Sequence, residues 1–291
     1  MTDTRKEHGV AKRKFYRAGE EAQFTDENPV VTPQTAHPAY KLAFRDTDFL
    51  MRDELRPVRF QLELLKPEML LEEAGVGSTL VIYGSARIPS PEKAAALVEM
   101  AKGDKKAVAE RLAAKAKYYQ EAYELAKMVS EKAIVEEGRR QFVICSGGGP
   151  SIMEAANRGA SEAGSESVGL NIVLPHEQAP NPYVTPYLSL NFHYFALRKM
   201  HFLLRARAVA VFPGGFGTFD EFFELLTLIQ TGKMKPIPIM LFGKDFWDKV
   251  VDLEALADEG TINHSDLDLF HRCETADEAW RHIAEFYELE R

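Results

Sequence analysis

Ala206-Arg207-Ala208-Val209-Ala210-Val211-Phe212-Pro213-Gly214-Gly215-Phe216-Gly217-Thr218-Phe219-Asp220-Glu221 is the stretch that decides how this chain is read. Residues 206–212 form an apolar run of strand length, and a glycine-rich turn follows. Beyond the turn, Phe222, Leu225, Leu226 and Ile229 recur at helical spacing. The pattern is strand, glycine turn, helix. Glycine at 214, 215 and 217 lets backbone N–H groups approach a ligand closely, and a helix N-terminus favours an anion. Glu221 falls in the first turn of the expected helix. A phosphate-bearing ligand is expected here, with Glu221 acting on it.

The same pattern recurs on either side. Thr79-Leu80-Val81-Ile82-Tyr83 is a buried-strand run closed by Gly84-Ser85-Ala86-Arg87, and Gln141-Phe142-Val143-Ile144-Cys145 is another, closed by Ser146-Gly147-Gly148-Gly149. Further strands are expected over residues 167–174, 188–192 and 236–242, the last with its prolines near an edge or among its first residues. Helical stretches separate them: residues 91–137 with a break at Gly103, a helix through Glu154 and Ala160, one carrying Arg198, Lys199 and His201, and closing helices around 246–257 and 276–289. Residues 175–186 carry four prolines and read as loop. Alternating strands and helices predict the α/β class, a doubly wound, Rossmann-like parallel sheet with helices on both faces.

Ahead of the sheet, residues 1–40 are polar, punctuated by proline and without periodicity, and read as an arm. Residues 48–73 support one or two amphipathic helices interrupted near Pro57 and Pro67, and Gly75 and Gly77 end them. The expected division is therefore an arm with a mostly helical extension over 1–75 and an α/β domain over 76–291.

A net charge of −8 argues against the broad nucleic-acid affinity of a basic surface. The two cysteines, Cys145 and Cys273, suit free thiols in a reducing cytoplasm. No apolar run reaches the roughly 20 residues of a membrane span, and residues 1–7 lack the apolar core of a signal peptide. The eight histidines show no metal-ligand spacing, so no metal is expected.

Three glycine turns at strand ends of one sheet point to a phosphate or nucleotide pocket more strongly than any one of them. None has the Gly-x-x-x-x-Gly-Lys-Ser/Thr of nucleoside triphosphatases, and the first lacks the Gly-x-Gly-x-x-Gly of dinucleotide folds. Thr218-x-x-Glu221 and Ser151-x-x-Glu154 both match a helix capping box, and spacing alone favours capping for both glutamates. Arg198 and Lys199 fit either a solvated helix edge or a charge-assisted donor to phosphate, and Arg87 is a further anion donor.

Residues 213–221 resemble the Pro-Gly-Gly-x-Gly-Thr-x-x-Glu motif of the Lonely Guy (LOG) family, formerly labelled "possible lysine decarboxylase". Gly84-Ser85-Ala86-Arg87, the stretch from Gly147 through Glu154 to Asn157, and Arg198-Lys199 share the resemblance, which covers roughly residues 76–245. Residues 56–63 are similar to the extension of the family's longer members. Ser151 stands where many members have glycine. The resemblance implies a hydrolase that cleaves the N-glycosidic bond of a purine nucleoside 5′-monophosphate, a cytokinin ribotide or AMP, to free base and ribose 5-phosphate. It implies Arg198 and Glu221 as the catalytic pair. Substrate and phosphate are then expected among Gly84, Ser85, Arg87, Gly147, Gly148, Gly149, Glu154, Lys199, Gly214, Gly215, Gly217 and Thr218. It further implies a homo-oligomer and no cofactor. No lysine stands out for the Schiff base that pyridoxal chemistry needs. The alternative is a nucleotide-binding or carrier protein of the same fold without turnover, like the molybdenum-cofactor carriers.

Overall fold

The computed structural model describes residues 15–27, 29–175 and 179–289. The first 14 residues of the expected arm, and residues 176–178 of the expected loop, lie outside them. Two compact units divide between Gln61 and Leu62.

In the first unit, residues expected to lack helical order include α1 (Ala18–Glu27). It buries a single residue, Ala22, so there was no apolar stripe to read. Local bonds define it instead: the Arg17 N–H donates to Glu20 at 2.8 Å, and Arg45 grips Asp26 with two N–H groups at 3.0 and 2.9 Å. A short helix, α2 (Thr47–Leu50), is capped by Asp46, which accepts the Phe49 N–H at 3.2 Å.

Helix α3 (Arg56–Glu73) runs through Pro67 without the interruption expected there. Proline removes one N–H, and the carbonyl four residues back, that of Glu63, is satisfied from outside the helix by the His201 ring at 3.1 Å.

Nine strands follow among the described residues. β1 (Thr79–Tyr83), β4 (Val143–Ser146), β5 (Ser167–Ile172), β6 (Ser189–Phe192), β7 (Ala206–Val211), β8 (Ile239–Phe242) and β9 (His271–Cys273) form one sheet. Every pairing in it is parallel, in the order β6-β5-β4-β1-β7-β8-β9. A small antiparallel ribbon pairs β2 (Val135–Glu136), where helix was expected to continue, with β3 (Arg139–Arg140). The prolines at 236 and 238 precede β8, which is interior; the edge belongs to β9, too short to show in the sequence.

The helices between strands are α4 (Pro91–Met100), α5 (Lys105–Ala113), α6 (Ala116–Glu131), α7 (Ile152–Glu162), α8 (Phe195–Leu204), α9 (Phe216–Gln230), α10 (Lys244–Val250) and α11 (Leu253–Asp258), and α12 (Ala276–Phe286) follows the last strand. The single helix expected over 246–257 is two, because Asp252 restarts the chain by capping the Ala255 N–H at 2.9 Å. Strand residues of both alternating sets are buried. Leu80, Ile82, Ile144, Ala208 and Ala210 pack with α6, α7 and α12 in the main core. The alternate residue Tyr83 meets Phe202 of α8 edge to face at 5.1 Å. The fold is the expected α/β, Rossmann-like sheet with helices around it.

The order reverses between β1 and β7, so the switch point, where such sheets bind ligands, lies at the carboxyl ends of those two strands. Those ends carry Gly84-Ser85 and Pro213-Gly214-Gly215, and the glycines after β4 lie next door.

Candidate active site

The three turns are tied to one another by backbone bonds. Ser85 N–H donates to the Pro213 carbonyl at 3.1 Å, and Ile152 N–H to the Ser85 carbonyl at 3.3 Å. The middle turn is pinned beneath by a fully buried Asn157. Its side-chain oxygen accepts from Ser146 at 2.7 Å and Asn181 at 2.9 Å, and its amide donates to Ser167 at 3.0 Å. Ser151 has φ +67°, a conformation that favours glycine, and its hydroxyl donates to the Ile88 carbonyl at 2.5 Å. Ser151 thus fastens the 85–88 turn to the start of α7.

Neither capping box forms. α9 begins at Phe216 with Gly215 as its N-cap and no side-chain cap, so Thr218 lies inside the first turn and Glu221 in the second. Ser151 does not cap α7, and Glu154 instead accepts from the Tyr119 hydroxyl at 3.2 Å. The Thr-x-x-Glu spacing misleads because glycine lets the helix start two residues before the threonine. Glu221 is therefore free of backbone duty.

A cavity of about 700 Å³ opens at the switch point. Among the expected site residues, Gly84, Ser85, Arg87, Gly147, Arg198, Gly215, Gly217, Thr218 and Glu221 line it. Gly148, Gly149, Glu154, Lys199 and Gly214 do not. Gly148 donates its N–H to Ser146 at 3.0 Å, and Lys199 pairs with Asp220 and Glu224 at 2.9 and 3.0 Å on the flank of α9. A Cβ on Gly214 would fall 2.1 Å from the Thr218 hydroxyl, so that glycine serves the turn's own packing. Gly215 and Gly217 are different: a Cβ on either meets nothing within 4 Å. The protein's packing does not require glycine there, whereas a ligand approaching the backbone would. The first N–H groups of α9 have no carbonyl partner within the helix, and the helix dipole adds positive potential at this end.

On the cavity floor, Arg198 Nη1 stands 3.9 Å from Glu221 Oε1, with both side chains nearly buried at 12% and 14% exposure. Arg198 Nε donates to the Leu170 carbonyl at 2.8 Å, which orients the guanidinium. Gly147 makes room for it, since a Cβ there would lie 2.7 Å from Nη2. Burial pushes the Glu221 carboxyl up to about 7, with the Arg198 charge opposing the rise. Burial likewise lowers Arg198 from its usual value, and attraction to Glu221 only partly offsets this. A carboxyl poised near neutrality beside a fixed cation is suited to proton transfer and to stabilising developing positive charge.

Sequence reasoning did not single out Tyr83, Met153, Phe202, Phe216, Phe219 or Val250, which also line the cavity. Phe216, at 97% exposure, stands at the N-terminus of α9 between two glycines. An aromatic residue set between two glycines was the available signal. Burial, followed by the charge of Glu221, raises the Tyr83 phenol well above its ordinary value. No lysine is among the described residues lining the cavity.

Residues 153–283 match the sequence profile of the family described as "Possible lysine decarboxylase". No curated protein matches the chain. Similar solved structures include the X-ray structure of TM1055, 19% identical, covering 72% of this chain and 99% of that one at a TM-score of 0.44. A Moco carrier protein from Chlamydomonas reinhardtii is 16% identical, covering 72% and 98% at a TM-score of 0.42. The fold itself rests on the strand order and pairing above. The profile match begins after the first two glycine turns, which the sheet brings alongside it. Over residues 153–283, which hold Arg198, the glycine turn after β7 and Glu221, the chain is similar to the family described as possible lysine decarboxylase.

Proposed function

We propose that the protein is a nucleoside 5′-monophosphate phosphoribohydrolase, releasing the base and ribose 5-phosphate from AMP, a prenylated adenine ribotide or both. The observation that carries this reading is the Arg198–Glu221 pair on the floor of a cavity whose rim is the uncapped N-terminus of α9. The 5′-phosphate lies on the N–H groups of Phe216, Gly217 and Thr218, where Gly215 and Gly217 leave the backbone open. A cavity of about 700 Å³ is of nucleotide size. Glycosidic cleavage passes through an oxocarbenium-like sugar, and Glu221 as carboxylate stabilises that charge and orients or deprotonates the attacking water. Arg198, held by Leu170, donates to the phosphate or to the departing base. Arg87, exposed on the cavity lining, makes no ion pair among the described residues and adds positive charge.

Purified protein incubated with AMP and with isopentenyladenosine 5′-monophosphate tests the reading, with free base and ribose 5-phosphate separated by chromatography. Base release that Glu221→Gln abolishes supports it; nucleotide bound without release from any purine monophosphate sinks it in favour of a carrier. The same reading expects a homo-oligomer, which light scattering measures directly. No described helix is long and apolar enough to cross a membrane.

A further inference from the structure

Arg198 belongs to α8, a helix with no side-chain cap of its own: its N-cap is Tyr194. The missing acceptors come from α3, some 130 residues earlier. Glu63 takes the backbone N–H of His193 on Oε1 at 2.9 Å and that of Tyr194 on Oε2 at 3.1 Å. A carboxylate at this end also complements the helix dipole. The Tyr194 carbonyl in turn accepts the N–H of Arg198 at 3.1 Å, so one helical turn separates the Glu63 carboxylate from the backbone of Arg198.

The backbone of Glu63 is used as well. Pro67 leaves its carbonyl without an intrahelical donor, and the buried His201 of α8 supplies one through Nε2 at 3.1 Å. A carbonyl only accepts, so Nε2 carries the proton. At the far end of α8, its C-cap Arg205 pairs with Glu68 at 3.1 Å and Glu72 at 3.5 Å, both on α3. The helix that bears Arg198 is thus fastened to α3 at its start, its middle and its end.

We propose that Glu63 is a positioning residue for the Arg198–Glu221 pair, fixing where α8 begins and so how near the Arg198 guanidinium stands to the Glu221 carboxylate. Its effect on turnover rests on the hydrolase reading above; its effect on Glu221 does not. The charged and titratable groups facing Glu221 are Arg198 and Lys199 from α8, Asp220 and Glu224 from α9, Tyr83 from β1 and Cys145 from β4. Of these only the two cations ride on α8. Releasing its N-terminus moves favourable charge away and leaves the rest in place. A retreat of about 1 Å from the present 3.9 Å separation raises the Glu221 titration by roughly half a pH unit, at an effective dielectric near 20.

The test compares full-length wild type, Glu63→Ala and Glu63→Gln, the last keeping one acceptor oxygen. In AMP hydrolysis, Glu63→Ala is expected to lower kcat about tenfold or more and to move the acid limb of kcat/KM upward by roughly half a unit or more. Glu63→Gln should fall between it and wild type. Thermal unfolding of ligand-free protein from pH 5 to 8 gives a second readout without turnover. The Glu221-dependent fall in stability should shift to higher pH in Glu63→Ala, and the shift should vanish when Glu221→Gln is added. If Glu63→Ala does not fold, Glu63→Gln decides by the same readouts. A folded variant whose melting profile keeps the wild-type midpoint pH overturns the proposal. Wild type without turnover on any purine monophosphate sinks the hydrolase reading alone, and the melting profiles still decide the role of Glu63.

Discussion

Neutralising Glu221 should reverse a cost that the fold carries at neutral pH. Burial raises this carboxyl from 4.5 to about 7 in the folded chain. The folded state therefore holds its proton more tightly than the unfolded state. That contribution to stability is fully present below about pH 4.5 and is lost as pH rises through about 7. Its size follows from the shift: about 3 kcal/mol between pH 4.5 and pH 8. For a chain of this length that corresponds to about 6–12 °C in Tm. Glu221→Gln keeps the shape and removes the titration. Ligand-free wild type and variant should be melted at half-unit intervals from pH 4.5 to 8.5. The difference curve cancels titrations the two proteins share, including those of His201 and His282, both lowered by burial. The variant should gain on wild type steadily between about pH 4.5 and 7, reach half of the gain near about 5.8, and level off above. Parallel curves across the whole range would refute the claim that Glu221 is buried beside an insufficient counter-charge.

Further expectations concern the same cavity. The pH dependence of kcat/KM for AMP should show an acid limb with a midpoint near 7, rising with pH, because the ionised form of Glu221 is the working one. Gly217→Ala should stabilise α9 by about 0.5 kcal/mol through helix propensity while weakening AMP and inorganic phosphate binding about tenfold or more, read by urea melts and calorimetry. Gly214→Ala, whose new Cβ would sit 2.1 Å from the Thr218 hydroxyl, should instead destabilise by about 1–3 kcal/mol, measured by the same melts. Phe216→Ala, at an almost fully exposed position on the cavity lining, should raise KM for AMP roughly fivefold or more through lost base stacking. Inhibition by ribose 5-phosphate, which has no base, should not change.

Much of the scaffold was legible because its signals are local. The apolar runs before Gly84, Gly147 and Gly214 became β1, β4 and β7, and these lie side by side in the sheet, with β1 in the centre. That neighbourhood turned three weak glycine signals into one cavity. What escaped the sequence depends on partners far along the chain or on where an element starts. β9 is three residues long and takes its order from pairing with β8. Helix α3 survives Pro67 because a histidine 134 positions later takes the freed carbonyl. The capping box at Thr218 matched in spacing and failed in register, since Gly215 starts the helix before the threonine. Lys199 sits one residue from Arg198, and a helix turns successive side chains about 100° apart, so the lysine faces Asp220 and Glu224 while the arginine faces the cavity.

The most direct measurement is chromatographic: AMP and isopentenyladenosine 5′-monophosphate are each incubated with wild type and with Glu221→Gln, and free base and ribose 5-phosphate are quantified. Equimolar base and ribose 5-phosphate from wild type, and neither from a Glu221→Gln variant that still binds nucleotide, is the predicted result. Retained nucleotide with no base released by wild type from any purine monophosphate, or equal release by both proteins, would contradict the assignment of Glu221 to catalysis.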